Sequence, residues 1–149
     1  MASTYELVQD FNRRNKGTVR WFRTRKHADL VDRSLNPNEK VLFAFVGQYD
    51  DSHGTLFDTA VLALTNDRVI VAQDRLILGY KVISITPDMF NDISIDAGLI
   101  WGFVTIDTIK EKIYFSNMSK KGLLEIKKMI SSYMLEAKKK FYSQKNENS

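Results

Sequence analysis

The chain has 149 residues, 44% of them apolar, and a formal net charge of +4, which suits one domain of ordinary size with a real core. It contains no cysteine, which excludes disulfides, thiol catalysis and zinc–thiolate centres and fits a reducing compartment. The first ten residues lack the basic and apolar regions of a secretory signal. The longest apolar run, residues 41–46, is far short of the ~20 needed to span a bilayer. A soluble, cytoplasmic protein is expected.

The first predicted element is a helix over residues 4–14. Ser3 and Glu6 have capping-box spacing, Leu7, Val8 and Phe11 follow at helical spacing, and Gly17 stops it. A second helical pattern places Trp21, Ala28, Val31 and Leu35 on one face. Asn36-Pro37-Asn38 ends it, because proline disfavours helical geometry in the residue before it.

Strands follow. Residues 40–49 form the first, with Val41, Phe43 and Phe45 on one face and Leu42, Ala44 and Val46 on the other. A loop holds Asp50, Asp51, His53 and Gly54. Residues 56–64 and 68–72 read as a buried hairpin around Asn66-Asp67, two residues that tolerate the positive φ of a tight turn. Strands over 76–85, 93–96, 99–107 and 111–115 complete a set of seven, a spacing that argues for a barrel or sandwich. A closing helix carries Leu123, Ile126, Ile130, Tyr133 and Ala137 as a narrow apolar stripe. Lys138, Lys139 and Lys140 complement the negative end of its dipole. The chain thus divides into a basic helical extension (1–35), a β-rich domain (36–142) and a flexible tail (143–149).

Charge is uneven. Residues 1–34 hold eight Lys/Arg against four Asp/Glu, residues 35–117 six against eleven, and residues 118–149 eight against three. Seven of the first eight cations fall in the stretch 13–26 beside Trp21 and Phe22. Arg13, Arg14, Arg20, Trp21, Arg23, Arg25 and Lys26 are therefore the candidate contacts for an anion or a partner. Cations neutralise phosphates while aromatics stack or insert. The competing and preferred reading has Trp21 and Phe22 packed on the domain and the cations in water.

Pro37-Asn38-Glu39-Lys40-Val41-Leu42, followed by Ala63-Leu64-Thr65-Asn66-Asp67-Arg68-Val69-Ile70, resembles the bacterial pleckstrin-homology-like (PH-like) family. The likeness covers roughly residues 36–140 and is strengthened by the strand count and the closing helix. It implies a mainly β (α+β) fold: a seven-stranded barrel of two orthogonal sheets, four and three strands, plugged by the C-terminal helix. GRAM-type domains share this architecture. Phosphoinositide-binding relatives carry Lys and Arg where this chain has Gly47-Gln-Tyr-Asp-Asp-Ser-His-Gly54. Two carboxylates there repel a phosphorylated headgroup, so specific phosphoinositide binding is not expected.

Catalysis is not indicated. His27 and His53 are the only histidines and neither has ligand spacing. His27, between Lys26 and Ala28, is expected to be solvated. No phosphate loop, nucleophile elbow, cofactor motif or metal set is present. The expected function is a non-enzymatic interaction module whose partner is a protein surface, another copy of the chain included. The alternative is weak, nonspecific binding of an anionic polymer or membrane surface through residues 13–26.

Overall fold

The computed structural model describes residues 1–15, 23–50 and 58–149, with Asp50 and Asn117 described by backbone alone. Helix α1 (Thr4–Arg14) starts where the capping box places it: the Ser3 N–H donates to Glu6 Oε2 at 2.7 Å, and Ser3 Oγ accepts from the Glu6 N–H at 3.3 Å. Helix α2 (Thr24–Ser34) ends before Asn36-Pro37. Thr4 ties the two together, its N–H and hydroxyl both donating to Asp32 Oδ1, at 3.2 and 2.5 Å.

Seven antiparallel strands follow: β1 (Val41–Asp50), β2 (Thr59–Thr65), β3 (Val69–Arg75), β4 (Gly79–Ile85), β5 (Phe90–Ala97), β6 (Trp101–Thr108) and β7 (Lys112–Ser119). Helix α3 (Lys120–Glu147) closes the chain and continues through residues expected to fray. Hydrogen bonds join all seven strands into one sheet, ordered β4-β3-β2-β1-β7-β6-β5. Strand β1 is the hinge of that sheet. It pairs with β2 from Val41 to Gln48, then with β7 from Gln48 to Asp50. Among the described residues no ladder joins β4 to β5, so the sheet is open where closure into a two-sheet barrel was expected.

Each half of the sheet has its own cover. The inner face packs Phe43, Phe45, Leu62 and Val71 with Ile93, Val104 and Phe115 around Leu123, Ile126, Ile130 and Met134 of α3. The outer face of β1–β3 carries Ala44, Val46, Val61, Ala63, Ile70 and Ala72 beneath Val8, Leu30 and Val31 of the two N-terminal helices. Three alanines on that face let the helices approach closely. Strand β2 is therefore buried throughout, which is why it reads as a continuous apolar run instead of alternating.

Local geometry corrects several expectations. A bulge between Val41 and Phe43 leaves Leu42 exposed and moves Val41 to the face of Ala44 and Val46, because an extra residue reverses the alternation before it. Asn66 and Asp67 do not have positive φ. Instead Thr65 Oγ1 accepts from the Asp67 and Arg68 N–H groups at 3.1 and 3.0 Å and builds the turn itself. Leu76-Ile77-Leu78 forms a three-residue hairpin loop rather than the start of β4, with Gly79 at φ 79° as its left-handed residue.

Glu39 lies at the centre of a polar knot. Its carboxylate accepts from the Asn36 N–H at 2.8 Å, the Thr65 hydroxyl at 2.7 Å, and Arg68 Nε and Nη2 at 2.9 and 3.0 Å. Arg68 also donates to Ser84 Oγ and to the Ser34 carbonyl, at 2.9 and 2.8 Å. Burial alone would push the Glu39 carboxyl up, but Arg68, the Asn36 N–H and Thr65 outweigh it and lower it from 4.5 to about 2.

Two outcomes are expected. Since Glu39 titrates lower in the folded chain than in the unfolded one, its contribution is complete above about pH 5 and is lost as pH falls toward 2. Glu39→Gln should cost on the order of 3 kcal/mol at neutral pH and flatten the acid limb, as read by urea melts across pH. Gly122→Ala tests the seat of Phe11. Alanine normally favours a helix by about 1 kcal/mol over glycine, yet here its Cβ would lie 2.6 Å from Phe11 Cζ. A net loss of about 1–3 kcal/mol is expected in the same assay.

Candidate functional site

The start of α2 meets the end of β3 at a junction built around one histidine. Arg23 caps α2 in the left-handed conformation, φ 61°, and its guanidinium pairs with the Asp74 carboxylate on β3. One turn on, His27 is buried between the helix and the sheet. Its Nδ1 accepts from the Asp74 N–H at 2.8 Å, and its Nε2 lies 2.8 Å from Thr59 Oγ1 on β2. A backbone amide can only donate, so Nδ1 carries the lone pair and Nε2 the proton. The solvated histidine expected from its basic neighbours is in fact a neutral strut. The signal that its neighbours obscured is its helical phase with Leu30 and Val31, three and four residues further along α2.

Beside this junction lies a cleft of about 270 Å³ bounded by Arg23, Thr59, Gln73 and Arg75 and by the β3–β4 loop. Gln73 Nε2 donates to the Thr59 carbonyl at 3.2 Å and closes its floor. Arg75 Nε is buried without a hydrogen-bond partner among the described residues. The loop itself is aliphatic and stands in solvent: Leu76, Ile77 and Leu78 are 69%, 93% and 76% exposed. Sequence pattern alone does not single out this triplet, because three aliphatic residues in a row resemble the start of a strand.

Among the described residues the cationic candidates do not converge. Arg13 and Arg14 each reach Asp10 at 2.9 Å, and Arg14 also pairs with Glu125 of α3. The bond from Arg14 holds the Asp10 carboxyl below its ordinary value. Arg23 is committed to Asp74. The Arg25 guanidinium stacks 4.0 Å from the centroid of Tyr5, an arrangement that favours the cation. Lys26 is exposed. Arg20 and Trp21 lie outside the described residues, as do Phe22 and the loop residues Asp51 and His53. Four of the seven candidates thus fasten the helical extension to itself or to the domain. Among the described residues no helix is long and apolar enough to cross a membrane.

This arrangement of a seven-stranded antiparallel sheet with a closing helix is matched by known proteins. The bacterial PH domain family matches residues 35–132, and the chain belongs to it. Its fold is similar to that of a pleckstrin homology domain from Shewanella amazonensis SB2B, with a TM-score of 0.52, 17% identity, and coverage of 74% of this chain and 96% of that one. It is also similar to a DUF1696 family protein with a pleckstrin-homology domain from Shewanella loihica PV-4, with a TM-score of 0.50, 14% identity, and coverage of 74% and 92%. Among curated proteins none matches the sequence.

The histidine strut yields a direct test. Replacing His27 with Phe keeps the volume but removes a partner from the Asp74 N–H and from Thr59. A loss of about 1–3 kcal/mol is expected in denaturant melts. Nitrogen-15 NMR of the parent should show Nε2 protonated and Nδ1 bare at neutral pH.

Proposed function

We propose that the chain is a non-enzymatic docking module of the cytoplasm that binds a protein surface. The observation that carries this reading is the aliphatic β3–β4 loop, held out in solvent beside the cleft. Monomeric surfaces rarely keep contiguous apolar residues exposed without a use for them. Loop and cleft together therefore favour an aliphatic side chain from one docked segment.

The other possibilities have less support. Both nitrogens of His27 are engaged, which leaves it unsuited to proton transfer. Binding of an anionic polymer or membrane surface through residues 13–26 needs free cations, and Arg13, Arg14, Arg23 and Arg25 already have partners.

A photo-reactive residue placed at Ile77 should form a protein adduct of defined mass in cells. Serine at Leu76 and Leu78 should abolish it while leaving the melting curve within about 0.5 kcal/mol of the parent. Adducts with lipid alone would count against the reading. In parallel, vesicles with and without phosphoinositides, matched for charge, should retain the protein equally. Neutralising Arg25 and Lys26 should not change that result. Steep, salt-sensitive retention on heparin that these substitutions remove would favour the alternative.

A further inference from the structure

Outside the cleft, the strongest unassigned feature is the free edge of β4. The open sheet ends on two strands, β4 and β5, and among the described residues neither has a second neighbour. An unpaired strand edge presents ladder donors and acceptors that ordinarily need cover. The chain treats its two edges differently. The Gly98 N–H donates to the Trp101 carbonyl at 2.8 Å, and with the β5–β6 register this turns the Ile93 N–H away from β6. There Asp92 Oδ1 accepts it at 2.8 Å. A bulge between Phe90 and Asp92 interrupts the same edge, and Lys138 Nζ donates to the Phe90 carbonyl at 2.7 Å. These devices blunt β5.

Strand β4 has none of them. The Thr65 N–H donates to the Arg68 carbonyl at 2.9 Å. Alternation along β2–β3 then points the backbone groups of Ile70 and Ala72 at β2 and those of Val69, Val71 and Gln73 at β4. The Asp74 N–H, in phase with Ala72, lies accordingly on the β2 side, where His27 Nδ1 accepts it. Through the unbroken β3–β4 register, Lys81, Ile83 and Ile85 bond back to β3, and the N–H and carbonyl groups of Tyr80, Val82 and Ser84 point outward. The strand carries no proline and no bulge. Lys81, its one charge, does not guard the edge. Its Nζ reaches back to the Tyr49 hydroxyl at 3.4 Å and lies 5.4 Å from that ring's centroid.

The core beside this edge is unfinished. Ile83 of β4, Met89 of the connecting turn and Ile95 of β5 pack on the inner core yet remain half-buried. The exposed Leu76-Ile77-Leu78 loop stands at the start of the same strand. We infer that the docked partner segment binds as an added strand on β4, pairing with Tyr80, Val82 and Ser84 while its alternate apolar side chains turn toward Ile83 and Met89. The inference rests on the docking-module reading and supplies its binding mode. The occupant is an extended segment with β-branched or aliphatic residues at every second position and no proline in the paired stretch. Ladder bonds give such a segment affinity whatever its sequence, and the alternate side chains give selectivity.

Amide exchange followed by nitrogen-15 NMR on the full chain tests this. The probe is a short capped peptide of alternating valine and threonine, flanked by single lysines for solubility. In the parent alone, the Tyr80, Val82 and Ser84 amides should exchange at least about tenfold faster than those of Lys81 and Ile83, and saturating peptide should slow all three by about tenfold. The same peptide, N-methylated at alternate residues along its pairing edge, should protect none of them. Val82→Pro removes the central outward donor without touching the β3 ladder, a placement that edge strands accept. It should weaken peptide binding while the melt stays cooperative; if that variant does not fold, the N-methylated peptide on the parent decides alone. A peptide that protects no β4 edge amide overturns the inference. So does protection that the N-methylated peptide reproduces, or equal protection along β5. Edge amides already protected in the peptide-free parent and freed on dilution mean that a second copy holds the edge, which also overturns it. The Ile77 adduct separates the two readings: an adduct that Val82→Pro leaves intact keeps the docking module and removes strand addition. An absent parent adduct counts against the docking module whatever the peptide does.

Discussion

The contact between Glu39 and Arg68 constrains more of this fold than any other single interaction. It joins the end of the helical extension, through Ser34 and Asn36, to the β2–β3 turn and, through Ser84, to β4. A buried carboxylate is costly unless its lone pairs are met, and here four donors meet them. Removing any of them leaves the charge under-solvated and frees an element that the knot holds. The strands it fastens are the ones roofed by α1 and α2, so the alignment of that layer depends on the same carboxylate.

The extension is part of the domain's core as well as its roof. Phe11 of α1 packs edge-on against Phe43, with ring centroids 5.4 Å apart, and also sits beside Gly122 of α3. Arg14 then pairs with Glu125 one turn further along α3. One N-terminal helix therefore covers the outer face of the sheet with Val8 and reaches the inner core with Phe11. A domain boundary at residue 35, natural on composition, would part α1 from the two cores it packs into.

Much of the fold was legible because local chemistry and periodicity agreed. The capping box fixed the start of α1, Pro37 the end of α2, and the three-four stripe of Leu123, Ile126 and Ile130 the buried side of α3. The misreadings have physical sources. A bulge at Leu42 shifts the alternation by one, and no propensity marks where a bulge falls. Asn66-Asp67 has the composition of a left-handed turn, yet Thr65 supplies a side-chain acceptor that makes positive φ unnecessary. His27 has charged neighbours in sequence but an apolar neighbourhood on its own helix face. The cleft was least legible of all, because Arg23 of the extension meets Asp74 and the β3–β4 loop, residues far along the chain. Composition located the cations of residues 13–26; it did not reveal which carboxylates they meet.

The position of β1 between β2 and β7 has a consequence for how the chain reaches this state. Residues 41–48 pair with a strand made soon afterwards, while its last three residues wait for Tyr114, Phe115 and Ser116. During synthesis, β1 to β4 can assemble as successive hairpins, but the β7-facing edge of β1 at Gln48 and Asp50 stays open until most of the chain has emerged. Closing so long a loop is entropically slow, and the aromatic inner face lacks α3 for the same interval. The nascent chain is therefore expected to pass through a half-sheet that is apolar on one side and unpaired along its β1 edge, the kind of species on which aggregation and chaperone capture act.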